Sequence, residues 1–369
     1  MIFLKKSKSY LLIILALTIK SNGNSLAADG ATIPVTVGTS KNTDVYVAGY
    51  SNNGKSNYIP TYWKNGKPIY LTDGNRQGKA TAIVVIGNDV YVAGQVDIPG
   101  HSIATYWKNG VAVNLAIGNF RASATGIAVV GKDVYVSGNE SSKNGLLVAM
   151  YWKNGIPNRL SDENHYEPTN AIAVSGNDVY VAGFEQDMHN LRSSVAKYWK
   201  NGKAIILSPR DKEAFASSIA VVGNDVYVAG QQTGKFSYTV KYWKNGKEIN
   251  LSDIEGTGAC SRAIAVVGND VYVTGAENGS DYNLVPTYWK NGKKIILSSE
   301  ARKRNGYAEA IAVLNGNVYI AGEENNGHCD VAKYWKNGNA IYLGDGTHNS
   351  AAYAIAVVRR SFPGINKKP

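Results

Sequence analysis

Tyr62-Trp63-Lys64-Asn65-Gly66 is the first of seven copies of one pentapeptide. The others begin at Tyr106, Tyr151, Tyr198, Tyr242, Tyr288 and Tyr334, at intervals of 44 to 47 residues. All seven tryptophans of the chain fall in these copies: Trp63, Trp107, Trp152, Trp199, Trp243, Trp289 and Trp335. A period of this length marks a repeat architecture in which each unit buries its apolar face only against its neighbours.

Each unit reads as four short strands. The first is Ala-Ile-Ala-Val-Val or a variant, as at Ala263 to Val267. A Gly-Asn or Asn-Asp turn leads to the second, Asp-Val-Tyr-Val-Ala-Gly, as at Asp225 to Gly230. A variable segment follows, then a third strand that ends in Tyr-Trp-Lys. Asn-Gly turns the chain into a fourth strand, such as Ile205-Ile206-Leu207. Val, Ile, Tyr and Trp suit a pleated, half-buried surface. Asn-Gly supplies the positive φ angles of a type I′ hairpin turn. Beyond the N-terminal apolar run, no segment has a helical period.

The first strand sets small against large. Ala171 and Ala173, Ala263 and Ala265, and Ala310 and Ala312 share one face, while Ile172, Ile264 and Ile311 point to the other. This suits the innermost strand of a propeller blade, where space tapers toward an axis. The bulky Tyr-Trp of the third strand then fills the widening gap between blades. First-strand motifs occur at Ala82, Gly126, Ala171, Ser218, Ala263, Ala310 and Ala354, and second strands run from Asp44 to Asn317. The repeat thus starts on a second strand and ends on a first one. The expected fold is all-β: a seven-bladed β-propeller over 44–358, four antiparallel strands per blade, in which Ala354 to Val358 completes the blade begun by Val45 to Gly49. Ile33 to Val37 competes for the same place, but Pro34 cannot donate to a central ladder. An open solenoid is the alternative, at the cost of two exposed edges.

The chain resembles bacterial secreted β-propeller proteins built from YWKNG-type repeats and, more distantly, Kelch-type propellers. It lacks the paired glycines that follow the second strand in Kelch repeats, and the Gly-His and Trp-Asp signature of WD40 repeats. The resemblance implies a ligand-binding or interaction role and carries over no catalytic residue.

The N-terminus has Lys5, Lys6 and Lys8, the apolar run Leu11 to Ile19, and small residues at Ser25-Leu26-Ala27. This pattern reads as a signal peptide over 1–27, followed by a lead-in at 28–43. A periplasmic or secreted protein is expected, not membrane-spanning and monomeric. A membrane anchor at the N-terminus is the alternative. The formal charge is +11, and removing Lys5, Lys6, Lys8 and Lys20 leaves +7. The chain ends in a basic tail over 359–369. The two cysteines, Cys260 and Cys329, exclude a disulfide framework, and one bond between them is left open.

The repeats sort sameness from diversity. Turns between strands one and two, and three and four, are tight and nearly identical, and share one face. The remaining connections are long, differ in every unit and share the other face. Binding groups usually sit on loops held by a rigid scaffold, so the diverse face is the expected recognition surface. Candidate ligand-binding residues there are His101, Phe120, His165, Tyr166, Phe184, His189, Phe236, Tyr238, Tyr282, Tyr307, His328 and His348. Acids including Glu167, Glu185, Glu323 and Glu324 join them. Aromatic faces beside polar groups suit a carbohydrate, a peptide or a protein; the plain alternative is that such residues collect on loops because loops are exposed.

No metal or other cofactor is expected. His328-Cys329-Asp330 has donor atoms, but neighbouring residues on a strand point to opposite faces. The recurrent Asp at the first turn belongs to hairpin chemistry. On the uniform face, Lys64, Lys108, Lys153, Lys200, Lys244, Lys290 and Lys336 form a ring that either solubilises strand ends or attracts an anionic surface. Nucleic acid is not an expected partner. There is no Gly-x-Ser-x-Gly, His-Glu-x-x-His or phosphate-binding glycine loop. The sequence favours a non-enzymatic binding propeller. The alternatives are a polymer-degrading hydrolase or lyase, and an envelope-associated scaffold acting through the lysine ring.

Overall fold

A computed structural model describes residues 43–360 apart from 53, 55–57, 116–120, 188–192, 235–236, 253–257, 280–282 and 299–304. The proposed leader, nearly all of the lead-in, the segment Ile33 to Val37, and the tail beyond residue 360 lie outside the described residues.

Twenty-eight strands form seven antiparallel sheets of four. Their local cause is the turn chemistry. In all seven pentapeptides the Asn has φ of 50° to 52° and the Gly 80° to 86°, the pair of left-handed residues a type I′ turn requires. The Asn side chain adds a second function. In the first repeat Asn65 Oδ1 accepts the Val45 N–H at 2.9 Å while its Nδ2 donates to Asp44 at 2.9 Å. The same pair of bonds recurs in the other six repeats, with Asn317 taking the place of Asp in the last. Each turn therefore stitches the third strand to the start of the second.

Blade 1 consists of β28 (Ser350–Arg359), β1 (Thr43–Asn52), β2 (Tyr58–Lys64) and β3 (Lys67–Tyr70), in that spatial order. The last strand of the chain is thus the inner strand of the first blade, paired with β1 from Thr43↔Arg359 to Ser51↔Ser350. The other inner strands are β4 (Gly78–Ile86) of blade 2, β8 (Ala122–Val130) of blade 3, β12 (Thr169–Ser175) of blade 4, β16 (Ala214–Val222) of blade 5, β20 (Ala259–Val267) of blade 6 and β24 (Gly306–Leu314) of blade 7. Each touches the next, and β24 touches β28, so the ring is closed.

The core is the set of layers between blades. All seven tryptophans are about 1% exposed. Inner-strand alanines such as Ala82, Ala171, Ala263 and Ala310 are fully buried, which lets the sheets converge. The outermost strands are only four residues long and mostly exposed. Short edges carrying lysine (Lys67, Lys203, Lys247, Lys293) or proline (Pro68, Pro157) resist pairing with another chain.

Candidate ligand-binding site at the axial mouth

Every inner strand carries one extra residue. The pairing register between strands one and two slips at Thr81, Thr125, Asn170, Ser217, Arg262, Glu309 and Tyr353, one β-bulge per blade. A bulge re-aims a side chain and is common beside functional sites. The glycine that ends each Val-Ala-Gly motif is its counterpart. A Cβ on Gly49, Gly94, Gly138, Gly183, Gly230, Gly275 or Gly322 would fall 1.8 to 2.3 Å from an inner-strand carbonyl oxygen. The glycine is required by this close approach of two backbones.

The bulges occupy the half of the inner strand nearer the long connections, so their side chains form a ring toward the variable face. Most reach the next blade. Thr81 donates to Ala124 O at 2.9 Å, Thr125 meets Thr169 at 3.2 Å, Asn170 donates to Ala216 O at 2.7 Å, and Ser217 meets Ser261. Arg262 Nε lies 3.1 Å from Glu309 Oε1. Glu309 does not carry the run further, since its Oε2 has no hydrogen-bond partner, and Tyr353 meets Tyr50 of its own blade, with ring centroids 5.9 Å apart.

Groups flanking the bulges give the mouth an uneven character. On blades 4 and 5, Phe215 sits between Phe184 (4.7 Å, edge to face) and Tyr238 (5.9 Å). On blade 1, Tyr50 packs on Tyr58 at 4.6 Å, and Lys79 of blade 2 reaches over its ring at 5.6 Å. On blades 6 and 7, the Arg262 guanidinium lies 5.0 Å over Tyr307. Glu323, on β25 (Asn317–Asn325), pairs across from Tyr307. Glu309 Oε2 and Glu323 Oε2 are buried without a hydrogen-bond partner, and the buried Arg262 Nε meets Glu309 Oε1 as an ion pair outside hydrogen-bond geometry. Burial pushes both carboxyl groups up. Glu309 raises Glu323 further, well above the usual range, while Arg262 pulls both back. Burial likewise raises the Cys260 thiol, and lifts Tyr307 to about 12.

The expected site residues separate into two groups. Phe184, Tyr238 and Tyr307 lie in these clusters. Tyr166 is half-buried and bridges Gln186 through the backbone. The histidines do not gather. His101 starts a strand of blade 2, His328 is exposed in a turn of blade 7, and His165 and His348 bond Asp162 (3.2 Å) and Asp345 (3.0 Å) of their own loops. Phe120, His189, Phe236 and Tyr282 lie outside the described residues. Cys260 and Cys329 are free thiols on neighbouring blades, so the bond left open between them is not formed. Among the described residues no three His, Cys, Asp or Glu side chains group as metal ligands.

Sequence reasoning about loops missed the bulge ring. Its signal is present nonetheless. The residue before each Ala-Ile-Ala motif is Thr, Thr, Asn, Ser, Arg, Glu or Tyr, between neighbours that are nearly all small.

The uniform face is built differently. Lys108, Lys153, Lys200, Lys244 and Lys290 pair with Asp89, Asp133, Asp178, Asp225 and Asp270 at 2.8 to 3.1 Å, and Lys64 lies 3.9 Å from Asp44. Each of these lysines also lies 5.1 to 5.2 Å over the tyrosine two residues after its aspartate. Hydrogen bonds from lysine and asparagine hold Asp178, Asp225 and Asp270 below the usual carboxylate range.

Comparison with solved structures supports the propeller. A puromycin-hydrolysing peptidase of Mycobacterium tuberculosis matches with a TM-score of 0.56 and 9% identity over 81% of this chain and 51% of that one. A structure from a study of two prolyl endopeptidases matches with a TM-score of 0.50 and 11% identity over 87% and 51%. The chain therefore spans about half the length of these proteins, and at such identities the likeness is one of fold. No family model and no curated protein matches the chain, so the narrower likeness to YWKNG-repeat proteins rests on the sequence motifs alone.

Proposed function

We propose that the protein is an exported, non-enzymatic binding propeller that takes a carbohydrate, peptide or protein ligand at the axial mouth of its variable face. One observation carries this reading. A scaffold that repeats itself nearly residue for residue presents seven bulge side chains of six different types, flanked by two aromatic clusters and by buried polar atoms without partners. Repetition makes the frame, and departure from repetition at the axis makes a surface fit for one ligand. The experiment is a glycan and peptide array screen of the protein, repeated with Phe215→Ala and Tyr307→Ala. A hit that both variants weaken at least tenfold supports the mouth. A hit indifferent to both, yet lost on substituting Lys153 and Lys200 of the opposite face, refutes it.

A polymer-cleaving hydrolase is the second reading, favoured by two buried carboxyl groups held toward their protonated forms, as a general acid requires. Turnover of a polysaccharide or peptide that Glu323→Gln abolishes would establish it. The lysine-ring scaffold has weaker support, because six of the seven turn lysines already face an aspartate.

A further inference from the structure

Resting on the reading of the axial mouth as a binding surface, we propose that the sector between Arg262 and Tyr353 is a subsite for the side chain of a lysine or arginine in a peptide ligand. Two independent features meet there. The first is the gap in the ring of side-chain bonds. Five successive bulge residues reach the next blade, and the run ends at Glu309, whose residue is 3% exposed and whose Oε2 has no partner. The second is the balance of donors and acceptors. Two buried carboxyl oxygens, Glu309 Oε2 and Glu323 Oε2, lack a donor, and the one buried cation beside them, Arg262, is already committed to Glu309 Oε1 at 3.1 Å. Every element bordering the sector is accounted for. β20 brings Arg262 and Cys260, β24 brings Tyr307 and Glu309, and β25 brings Glu323. Asp330 belongs to the next strand of blade 7. Blade 1 contributes Tyr50 and Tyr353, and Lys79 comes from β4. Ionising Glu323 sets three carboxylates against two cations, so in that state the sector lacks a positively charged hydrogen-bond donor.

Tyrosine faces favour a cation, and this mouth already shows the pairing twice, as Lys79 over Tyr50 and Arg262 over Tyr307. The carboxyl oxygens lie deep, beside the long, half-buried side chains of Tyr307 and Arg262. A slender aliphatic stem ending in an ammonium or guanidinium can bring its charge to such recessed oxygens. Without ligand, burial and Glu309 favour the protonated form of Glu323. An arriving cation favours the carboxylate, so the proton leaves as the ligand binds. Affinity therefore rises with pH through the titration of Glu323 and levels off above it.

Isothermal titration of the full protein with the blocked tripeptide acetyl-Gly-Lys-Gly-amide, its Nε-acetylated form and a neutral oligosaccharide tests this. The expected result is at least tenfold preference for the charged peptide over the acetylated one. Glu323→Gln should remove the pH dependence and most of that preference. Wild-type titrations in two buffers of different ionisation heat should show protons released on binding, a readout that needs no variant. Equal binding of both peptides, no proton release, or no peptide binding at all overturns the subsite. Binding of the oligosaccharide instead, weakened by Phe215→Ala, would overturn it while leaving the axial mouth as the binding surface.

Discussion

Gly275→Ala tests the bulge ring from the scaffold side. The added Cβ would lie 1.8 Å from the Cys260 carbonyl oxygen, and contacts under 3.0 Å are not tolerated, so two paired backbones must part by about 1.2 Å. That oxygen belongs to an inner strand held between two neighbouring blades and cannot rotate away. Overpacking of this kind costs about 3 kcal/mol, the upper part of the usual range. Loss of glycine freedom in the unfolded chain returns about 0.5 to 1 kcal/mol, leaving a net loss of about 2 to 2.5 kcal/mol. Gly268→Ala is the control. Its φ is +60° and nothing lies within 4 Å of where its new Cβ would stand, so only left-handed strain of about 1 to 2 kcal/mol applies, offset by the same unfolded-state gain. Thermal melting followed by tryptophan fluorescence reads both, at about 1.5 °C per kcal/mol for a chain of this size. The expected melting temperature of Gly275→Ala lies about 1 to 4 °C below that of Gly268→Ala. Equal melting of the two would show that the glycine is not forced by backbone proximity, and the argument for a fixed ring of bulge side chains would fail with it.

Other substitutions probe the remaining contacts. Trp243→Ala should cost about 3 to 5 kcal/mol in a denaturant titration, since it empties a fully buried inter-blade site. Asn245→Gly keeps the turn's left-handed backbone but deletes the bonds to Val226 N–H and Asp225; a loss of about 1 kcal/mol is expected, and an unchanged melting temperature would show that the side chain only serves the φ angle. Acid should act through the depressed aspartates. Asp178, Asp225 and Asp270 contribute stability above the ordinary carboxylate pKa of 3.8 and lose it as pH falls through their lower folded values. Asp225→Asn should therefore flatten the acid limb of a stability-pH curve. The raised Glu309 and Glu323 act with opposite sign, costing stability as pH rises from 4.5 through their folded values. Glu323→Gln should flatten the neutral limb instead, as read by melting temperature between pH 4 and 8.

Most of the frame is written in local code. Asn65-Gly66 and its six copies fix a hairpin because two left-handed residues fit few other turns, and the buried Trp of each pentapeptide fixes the layer between blades. Even ring closure was legible, because the count of half-blades at Val45 and Ala354 leaves one partner for each. The site was harder to read. His101, His165, His328 and His348 share a face by topology, but each stays with its own loop, and alternation along a strand says nothing about distance across an axis. Arg262 and Glu309 sit one repeat apart on strands that look interchangeable with their neighbours. Only the bulge opposite Gly275 and Gly322 turns them toward each other, and the register slip that makes a bulge leaves no mark in hydrophobic pattern. The pairing of Lys200 with Asp178 was hidden for a similar reason, since a charge count sees the lysines and not their partners across the hairpin.

The pairing of β28 with β1 has a consequence for the order of events during synthesis. Blades 2 to 7 are each assembled from a contiguous stretch of chain, so they can form in turn as the polypeptide emerges. Blade 1 cannot, because its innermost strand follows all six other blades in sequence, and β1 must wait beside an empty slot until they have emerged. A nascent chain halted before Ser350 would hold six finished blades and one raw edge, ready to borrow a strand from any chain nearby. The ten residues of β28 thus act as the latch of the ring, and deleting them should yield oligomers whose size grows with concentration in gel filtration.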